Sequence, residues 1–138
     1  MLSAAAACCL NIKLDLMTGD IDAARYLRST LQGPHPFKDS EAWGHFVRYI
    51  ELGDDGYALR QVDEYANGYL SRYDRTHWDD QFGMLADFQY GPKWLEHWGQ
   101  PVAIARAEFE DKWRRAAESP AMALKQPSPL KPPPWIAA

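Results

Sequence analysis

The chain has 138 residues, of which 46% are hydrophobic and 13% aromatic, enough for a packed core in one domain. This composition excludes global disorder, and no run approaches the ~20 apolar residues of a membrane-spanning helix. A formal net charge of −4 argues against non-specific binding to nucleic acid.

The two ends of the chain are predicted to lie outside the domain. Residues 1–9 resemble a signal peptide but lack its basic start, so we expect a frayed N-terminus in a cytoplasmic protein. The adjacent cysteines Cys8 and Cys9 cannot close a chain loop, and a reducing compartment suits them. Residues 126–135 hold five of the ten prolines. We therefore predict a single domain over residues 10–118 and a Pro-rich flexible tail over residues 119–138.

The first predicted elements are a strand and a helix. Apolar and polar residues alternate over residues 10–16, which predicts a strand with one buried face. An amphipathic helix is predicted from about 20 to 31, because apolar residues recur at three- and four-residue spacing: Ile21, Ala24, Leu27 and Leu31. Gly33-Pro34 ends this helix, and residues 34–40 are predicted to form a loop.

Between Trp43 and Tyr73 lie three runs rich in Val, Ile, Tyr and Phe, separated by Asp55-Gly56 and Asn67-Gly68. Asn-Gly between two such runs is a strong signal for a tight hairpin, because both residues tolerate positive φ. The pattern predicts a three-stranded antiparallel meander, the centre of the fold.

A two-residue turn at Asn67-Gly68 places Asp63 opposite Arg72, as a cross-strand ion pair, and Val62 opposite Tyr73. Alternation then assigns two faces. The first carries Phe46, Arg48, Ile50, Leu52, Leu59, Gln61, Asp63, Tyr65, Leu70, Arg72 and Asp74. The second carries Val47, Tyr49, Glu51, Ala58, Arg60, Val62, Glu64, Ser71 and Tyr73. We expect a helix to cover the first face and water to reach the second, and a one-residue bulge would invert the assignment beyond it.

Further elements follow the meander. Short strands are predicted at residues 84–90 and 102–104, and a helix at residues 106–117, which Ser119-Pro120 stops. The predicted fold class is α+β: an antiparallel three- to five-stranded meander sheet packed against one or two helices.

Candidate sites for chemistry are sparse. His77 lies near Asp79 and Asp80, so a metal ion or a general base is conceivable. However, adjacent carboxylates most often form a solvated turn, and a second histidine at helical spacing is missing. Asp54 and Asp55 are best explained as turn residues. We predict no catalytic residue, no metal site and no cofactor.

The charge is uneven along the chain. Residues 38–90 contain 11 acidic and 5 basic residues, whereas residues 91–138 contain 5 acidic and 7 basic ones. An acidic, aromatic-bearing surface on a rigid sheet favours recognition of a basic protein. The sequence therefore predicts a protein partner, with neither nucleic acid nor membrane, and the following partner-binding residues: Asp54, Asp55, Tyr65, Tyr69, Trp78, Asp79 and Asp80.

Several motifs lie between Trp43 and Arg115: a strand with Arg and Glu, the Asp55-Gly56 and Asn67-Gly68 turns, an Arg-x-Val strand, and a helix with a Glu-Phe-x-x-x-Trp motif that begins at Glu108. In these motifs the stretch resembles a family of small bacterial domains of unknown function. Some similar proteins are suspected immunity proteins of toxin systems. The resemblance implies a non-catalytic immunity or antitoxin role.

Two alternatives stay open. One is a small enzyme that uses Asp/His chemistry near His77, which a concave pocket around that histidine would favour. The other is a homo-oligomeric structural module whose exposed sheet edge pairs with a second copy.

Overall fold

The computed structural model describes residues 25–30, 37–87, 89–90, 101–125 and 131–137. The strands in this part of the chain are β1 (Tyr26–Thr30), β2 (Phe46–Leu52), β3 (Ala58–Tyr65), β4 (Leu70–Asp74), β5 (Asp79–Asp80), β6 (Gly83–Met84) and β7 (Val102–Ala103). The helices are a 3-10 helix (Lys38–Trp43), α1 (Arg106–Ala116), α2 (Pro120–Leu124) and α3 (Pro134–Ala137).

Five of the strands form one antiparallel sheet in the order β4-β3-β2-β1-β7. Strands β5 and β6 pair with each other in a separate two-stranded sheet. The predicted meander and the α+β class are therefore confirmed. The strand predicted at residues 10–16 lies outside the described residues.

The helix predicted over residues 20–31 is wrong where the structure describes it, since Tyr26–Thr30 is strand β1. Leu27 fits either period, but in the fold it lies opposite Ile50 and both side chains are buried. Backbone pairing with β2 on one side and β7 on the other overrides the helical spacing of the apolar residues.

The turn between β3 and β4 is one residue longer than predicted. The N–H of Gly68 donates to the carbonyl of Tyr65, the N–H of Tyr65 donates to the carbonyl of Tyr69, and Gly68 has a φ of 93°. This is a three-residue loop that ends on a left-handed glycine. Val62 therefore pairs with Arg72 instead of Tyr73.

The shift by one residue moves every β4 side chain to the opposite face of the sheet. Asp63 lies opposite Ser71, so its predicted ion pair with Arg72 is wrong, and Arg48 on β2 takes that place. The faces of β2 and β3 are as predicted up to a bulge near Leu52.

Helix α1 covers the second face of the sheet, not the first as predicted. Its Phe109 is fully buried in a cluster with Tyr49 and Val62 of the sheet. Charged side chains of this face bridge sheet and helix at the rim: Lys112 contacts Glu64 at 3.0 Å, and Arg60 contacts Glu110 at 2.7 Å. The charged residues of this face led us to expect exposure to water, but in the structure they form ion pairs at the edge of the helix–sheet interface.

The first face is covered by the segment between β4 and residue 90. Phe82, Leu85 and Ala86 are buried there, and Leu85 and Ala86 join a core cluster with Ile50 of β2. Of the strand predicted at residues 84–90, Met84 belongs to strand β6, whereas residues 85–87 and 89–90 are not in a strand. A 3-10 helix replaces the end of the loop predicted over residues 34–40.

Residues beyond the predicted boundary at 118 contact the sheet. Ala121 of α2 is fully buried, and the Ser119 hydroxyl accepts a hydrogen bond from the N–H of Leu70 on the edge strand β4 (2.8 Å). In α3, Trp135 stacks on Tyr57 with ring centroids 4.4 Å apart. No helix among the described residues combines the length and apolar character needed to cross a membrane.

Candidate functional site

The predicted partner-binding residues fall into three groups by their exposure. Asp54 and Asp55 are exposed on the turn between β2 and β3, whereas Tyr65, Asp79 and Asp80 are buried. Tyr69 and Trp78 are half-buried, and Tyr69 packs against Trp43. The expectation that Asp79 and Asp80 form a solvated turn is wrong, because they form the short strand β5. In this structure the carboxylates of Asp79 and Asp80 are therefore shielded from solvent.

Asp80 is the centre of a buried polar cluster. Its Oδ1 accepts hydrogen bonds from the Tyr73 hydroxyl (2.9 Å) and from the N–H groups of Phe82 (2.8 Å) and Gly83 (3.1 Å). Its Oδ2 lies 3.2 Å from His77 Nε2 and 2.9 Å from Lys125 Nζ. Both carboxylate oxygens are thus engaged from several sides, and the side chain has no exposed surface.

The Lys125 ammonium is held on three sides. Besides Asp80, it donates to the carbonyl of Arg72 (2.7 Å) and lies 3.8 Å from the centre of the Tyr73 ring. Only 5% of the side chain is exposed. Burial lowers the pKa of Lys125, and the charge of Asp80 acts in the opposite direction.

The same burial raises the pKa of Tyr73 well above its ordinary value, and the nearby Asp80 carboxylate adds to the effect. Tyr73 is therefore a hydrogen-bond donor to Asp80, not a base. His77, whose side chain is 38% exposed, is the one member of the cluster with substantial access to water. Its ring stacks on that of Tyr73.

A second buried pair lies on the same face. Arg48 contacts Asp63 through two hydrogen bonds of 2.7 and 3.0 Å, and the Asp63 side chain is fully buried. Gln61 joins this pair to the covering segment, because its amide N–H donates to the carbonyl of Met84 and its amide oxygen accepts from the N–H of Ala86. The polar residues of this face therefore connect the sheet to its cover.

The exposed candidate surface surrounds the β2–β3 turn. We define the acidic–aromatic surface by five residues: Asp54, Asp55, Tyr57, Asp87 and Trp135. Trp135 stacks on Tyr57 and donates its indole N–H to Asp87 (2.5 Å). Asp54 is 94% exposed as a side chain, and its carboxylate contacts the half-exposed Arg25.

The turn itself is held by hydrogen bonds to the Asp55 carboxylate. The Asp55 carboxylate accepts the N–H of Tyr57 (3.0 Å), and Gly56 adopts a φ of 83°. Arg75 reaches the same carboxylate at 3.0 Å. Burial alone would raise the pKa of Asp55, but hydrogen bonds from Arg75 and from the N–H of Tyr57 outweigh this effect and lower the pKa. These contacts confirm the prediction that Asp55 is a turn residue.

Much of the acidic excess is neutralised within the molecule. Lys112 and Lys125, from the basic C-terminal part, pair with Glu64 and Asp80 of the acidic middle. Composition alone therefore overstates the negative surface. Asp54 and Asp87 are exposed: Asp54 contacts Arg25, and Asp87 accepts the indole N–H of Trp135.

A cavity of about 420 Å³ lies at the opposite end of β2 and β3, and its lining does not include His77. It is lined by Thr30, His45, Phe46, Val47, Glu64, Tyr65, Ala66 and Gly68. No group of three or more His, Cys, Asp or Glu side chains in the described part of the chain is arranged to hold a metal ion.

The sequence analysis did not predict the contact of Lys125 with Asp80. Lys125 lies in the predicted tail, and no local sequence pattern connects it to Asp80. The partner of Asp63 was also not predicted, since it depends on the register of β4. Searches of protein-family models, of curated proteins and of solved structures find no match to this chain.

Proposed function

We infer that this protein is a non-catalytic protein-binding protein of the immunity or antitoxin type, which recognises a basic partner. The observation that carries the binding role is the acidic–aromatic surface at the β2–β3 turn, where the Asp54 side chain is 94% exposed and Tyr57, three residues later, stacks on Trp135. Aromatic anchors supply contact area, and exposed charges steer the approach of a partner of opposite charge.

The immunity or antitoxin part of the proposal rests on the resemblance of residues 43–115 to a family that includes suspected immunity proteins. The β2–β3 hairpin and α1, which carry that resemblance, are packed as one unit through Phe109. Such a unit presents its turns on a fixed scaffold, as a protein that blocks another by binding requires.

One observation favours an enzyme, namely the 3.2 Å contact between His77 and Asp80. Against it, the Asp80 carboxylate also holds Lys125, Tyr73 and two backbone N–H groups, so its lone pairs are occupied by structural donors. The lining of the cavity at Phe46 and Tyr65 does not include His77. The contacts of Asp80 therefore favour a structural role, and binding remains our proposal.

The proposal is tested by co-expression with the products of neighbouring genes, followed by affinity capture. We expect a stoichiometric complex whose affinity falls at least tenfold in the Asp54→Lys/Asp87→Lys variant and with rising salt concentration. Glu118→Lys, an exposed charge reversal outside the acidic–aromatic surface, is the matched control and should bind like the wild type. If no neighbouring product binds, the immunity role is refuted. Binding that survives the double reversal refutes the acidic–aromatic surface.

A further inference from the structure

The contacts around Lys125 have the form of a binding site for a primary ammonium group. A carboxylate at 2.9 Å, a carbonyl at 2.7 Å and the face of the Tyr73 ring surround the Nζ atom. A protonated amine has three donors, and these groups satisfy it by charge, by hydrogen bonding and by cation–π attraction. The site therefore selects the chemistry of a lysine side chain.

The segment that delivers this lysine is short. Helix α2 has only five residues, and its backbone meets the rest of the chain at the carbonyl of Leu124, which accepts from the Gln81 side chain (2.8 Å). At its start, Ser119 caps the N–H of Leu70. A one-turn helix has little stability of its own, so these hydrogen bonds, the buried Ala121 side chain and the Lys125–Asp80 pair together hold it against the sheet.

Residues 119–125 also cover the edge of the sheet. The N–H of Leu70 and the carbonyl of Arg72 both face away from β3, and Ser119 and Lys125 take these two groups. A departing segment would leave a strand edge next to a buried carboxylate. An incoming segment that carries a lysine would find both a backbone edge and a charge partner.

We propose that Asp80, Tyr73 and the carbonyl of Arg72 form a lysine-binding site, which Lys125 occupies from within and which a lysine of the protein partner occupies by displacing residues 119–125. This inference rests on the proposed binding function and names the chemistry of the partner.

The site can be tested without any partner. The Lys125→Ala variant removes the atoms that propylammonium replaces, so this amine should stabilise the variant. We expect the melting temperature to rise by about 4 °C when propylammonium is at about ten times its dissociation constant. Propanol and equal concentrations of sodium chloride should give no such rise. The wild type, the Lys125→Ala/Asp80→Asn variant and the Lys112→Ala variant should not respond to the amine.

A second measurement uses Lys125→Met, which keeps the apolar stem of the side chain in case Lys125→Ala does not fold. The synthetic peptide Ser-Pro-Ala-Met-Ala-Leu-Lys, which reproduces residues 119–125, should bind this variant at least tenfold more tightly than the same peptide ending in Met. A lack of amine rescue together with equal binding of the two peptides would overturn the lysine-binding site. An equal response of the wild type to propylammonium would overturn it too. These failures leave the capture experiment unaffected, so the two proposals are refuted separately.

Discussion

The Arg48–Asp63 pair offers a direct test of what holds the first face of the sheet together. Replacement Arg48→Met leaves the fully buried Asp63 carboxylate without its cationic partner. Removing one member of a buried pair costs about 3–5 kcal/mol, because the remaining charge is uncompensated. Since Asp63 has no exposed surface and both of its oxygens contact Arg48, we expect a loss within this range.

Replacing both members should cost much less. In the Arg48→Met/Asp63→Leu variant neither position carries a charge, and the introduced methionine side chain packs where the guanidinium lies over the Phe46 ring. Gln61 keeps its bonds to the carbonyl of Met84 and the N–H of Ala86. We expect the double variant to be at least about 2 kcal/mol more stable than Arg48→Met alone.

Urea unfolding followed by tryptophan fluorescence measures these free energies, since the chain contains six tryptophans. The matched control is Arg114→Met, whose partner Asp111 is 44% exposed as a side chain. This exposed pair should contribute less than about 1 kcal/mol. If the double variant is as unstable as the sum of the single variants Arg48→Met and Asp63→Leu, the pair is not coupled and the reasoning is wrong.

Two further predictions concern the turns and the tyrosines. Gly44→Ala should destabilise the fold more than Gly68→Ala in urea unfolding. Both glycines have a φ near +90°, but a Cβ atom on Gly44 would lie 3.0 Å from the Cβ atom of Ala66, whereas a Cβ atom on Gly68 would have no atom within 4 Å. Equal losses of stability in the two variants would contradict this prediction. Burial, aided by Glu64, raises the pKa of Tyr49 to about 12. Its contribution to stability is full below pH 10 and is lost as the pH rises towards 12, so Tyr49→Phe should flatten the loss of stability over that interval; an unchanged pH profile would refute the assignment.

Local patterns predicted the strands β2, β3 and β4 and helix α1, because alternation and helical spacing each persist over several residues there. Strand β1 escaped prediction because Leu27 belongs to a set of apolar residues with helical spacing. What makes it a strand is pairing with β2, a contact between distant parts of the chain.

The face of the sheet that α1 covers depended on details that no local pattern contains. Asn67-Gly68 fits both a two-residue and a three-residue loop, and the choice decides the face on which Tyr73 lies. Tyr73 in turn places its hydroxyl on Asp80. One residue in a turn thus determines whether the buried polar cluster can form.

The acidic middle and the basic end of the chain fit two interpretations, binding of a separate basic partner or pairing within the chain, and the sequence alone does not distinguish them. A segment rich in carboxylates attracts a basic partner, but a basic segment of the same chain is the partner at highest effective concentration. Lys112 and Lys125 fill that role for Glu64 and Asp80. A partner must therefore be recognised by carboxylates that folding leaves exposed, such as Asp54, or must compete with an internal lysine for Asp80. The first case makes binding sensitive to charge reversal at the surface, whereas the second makes it sensitive to the strength of one internal contact.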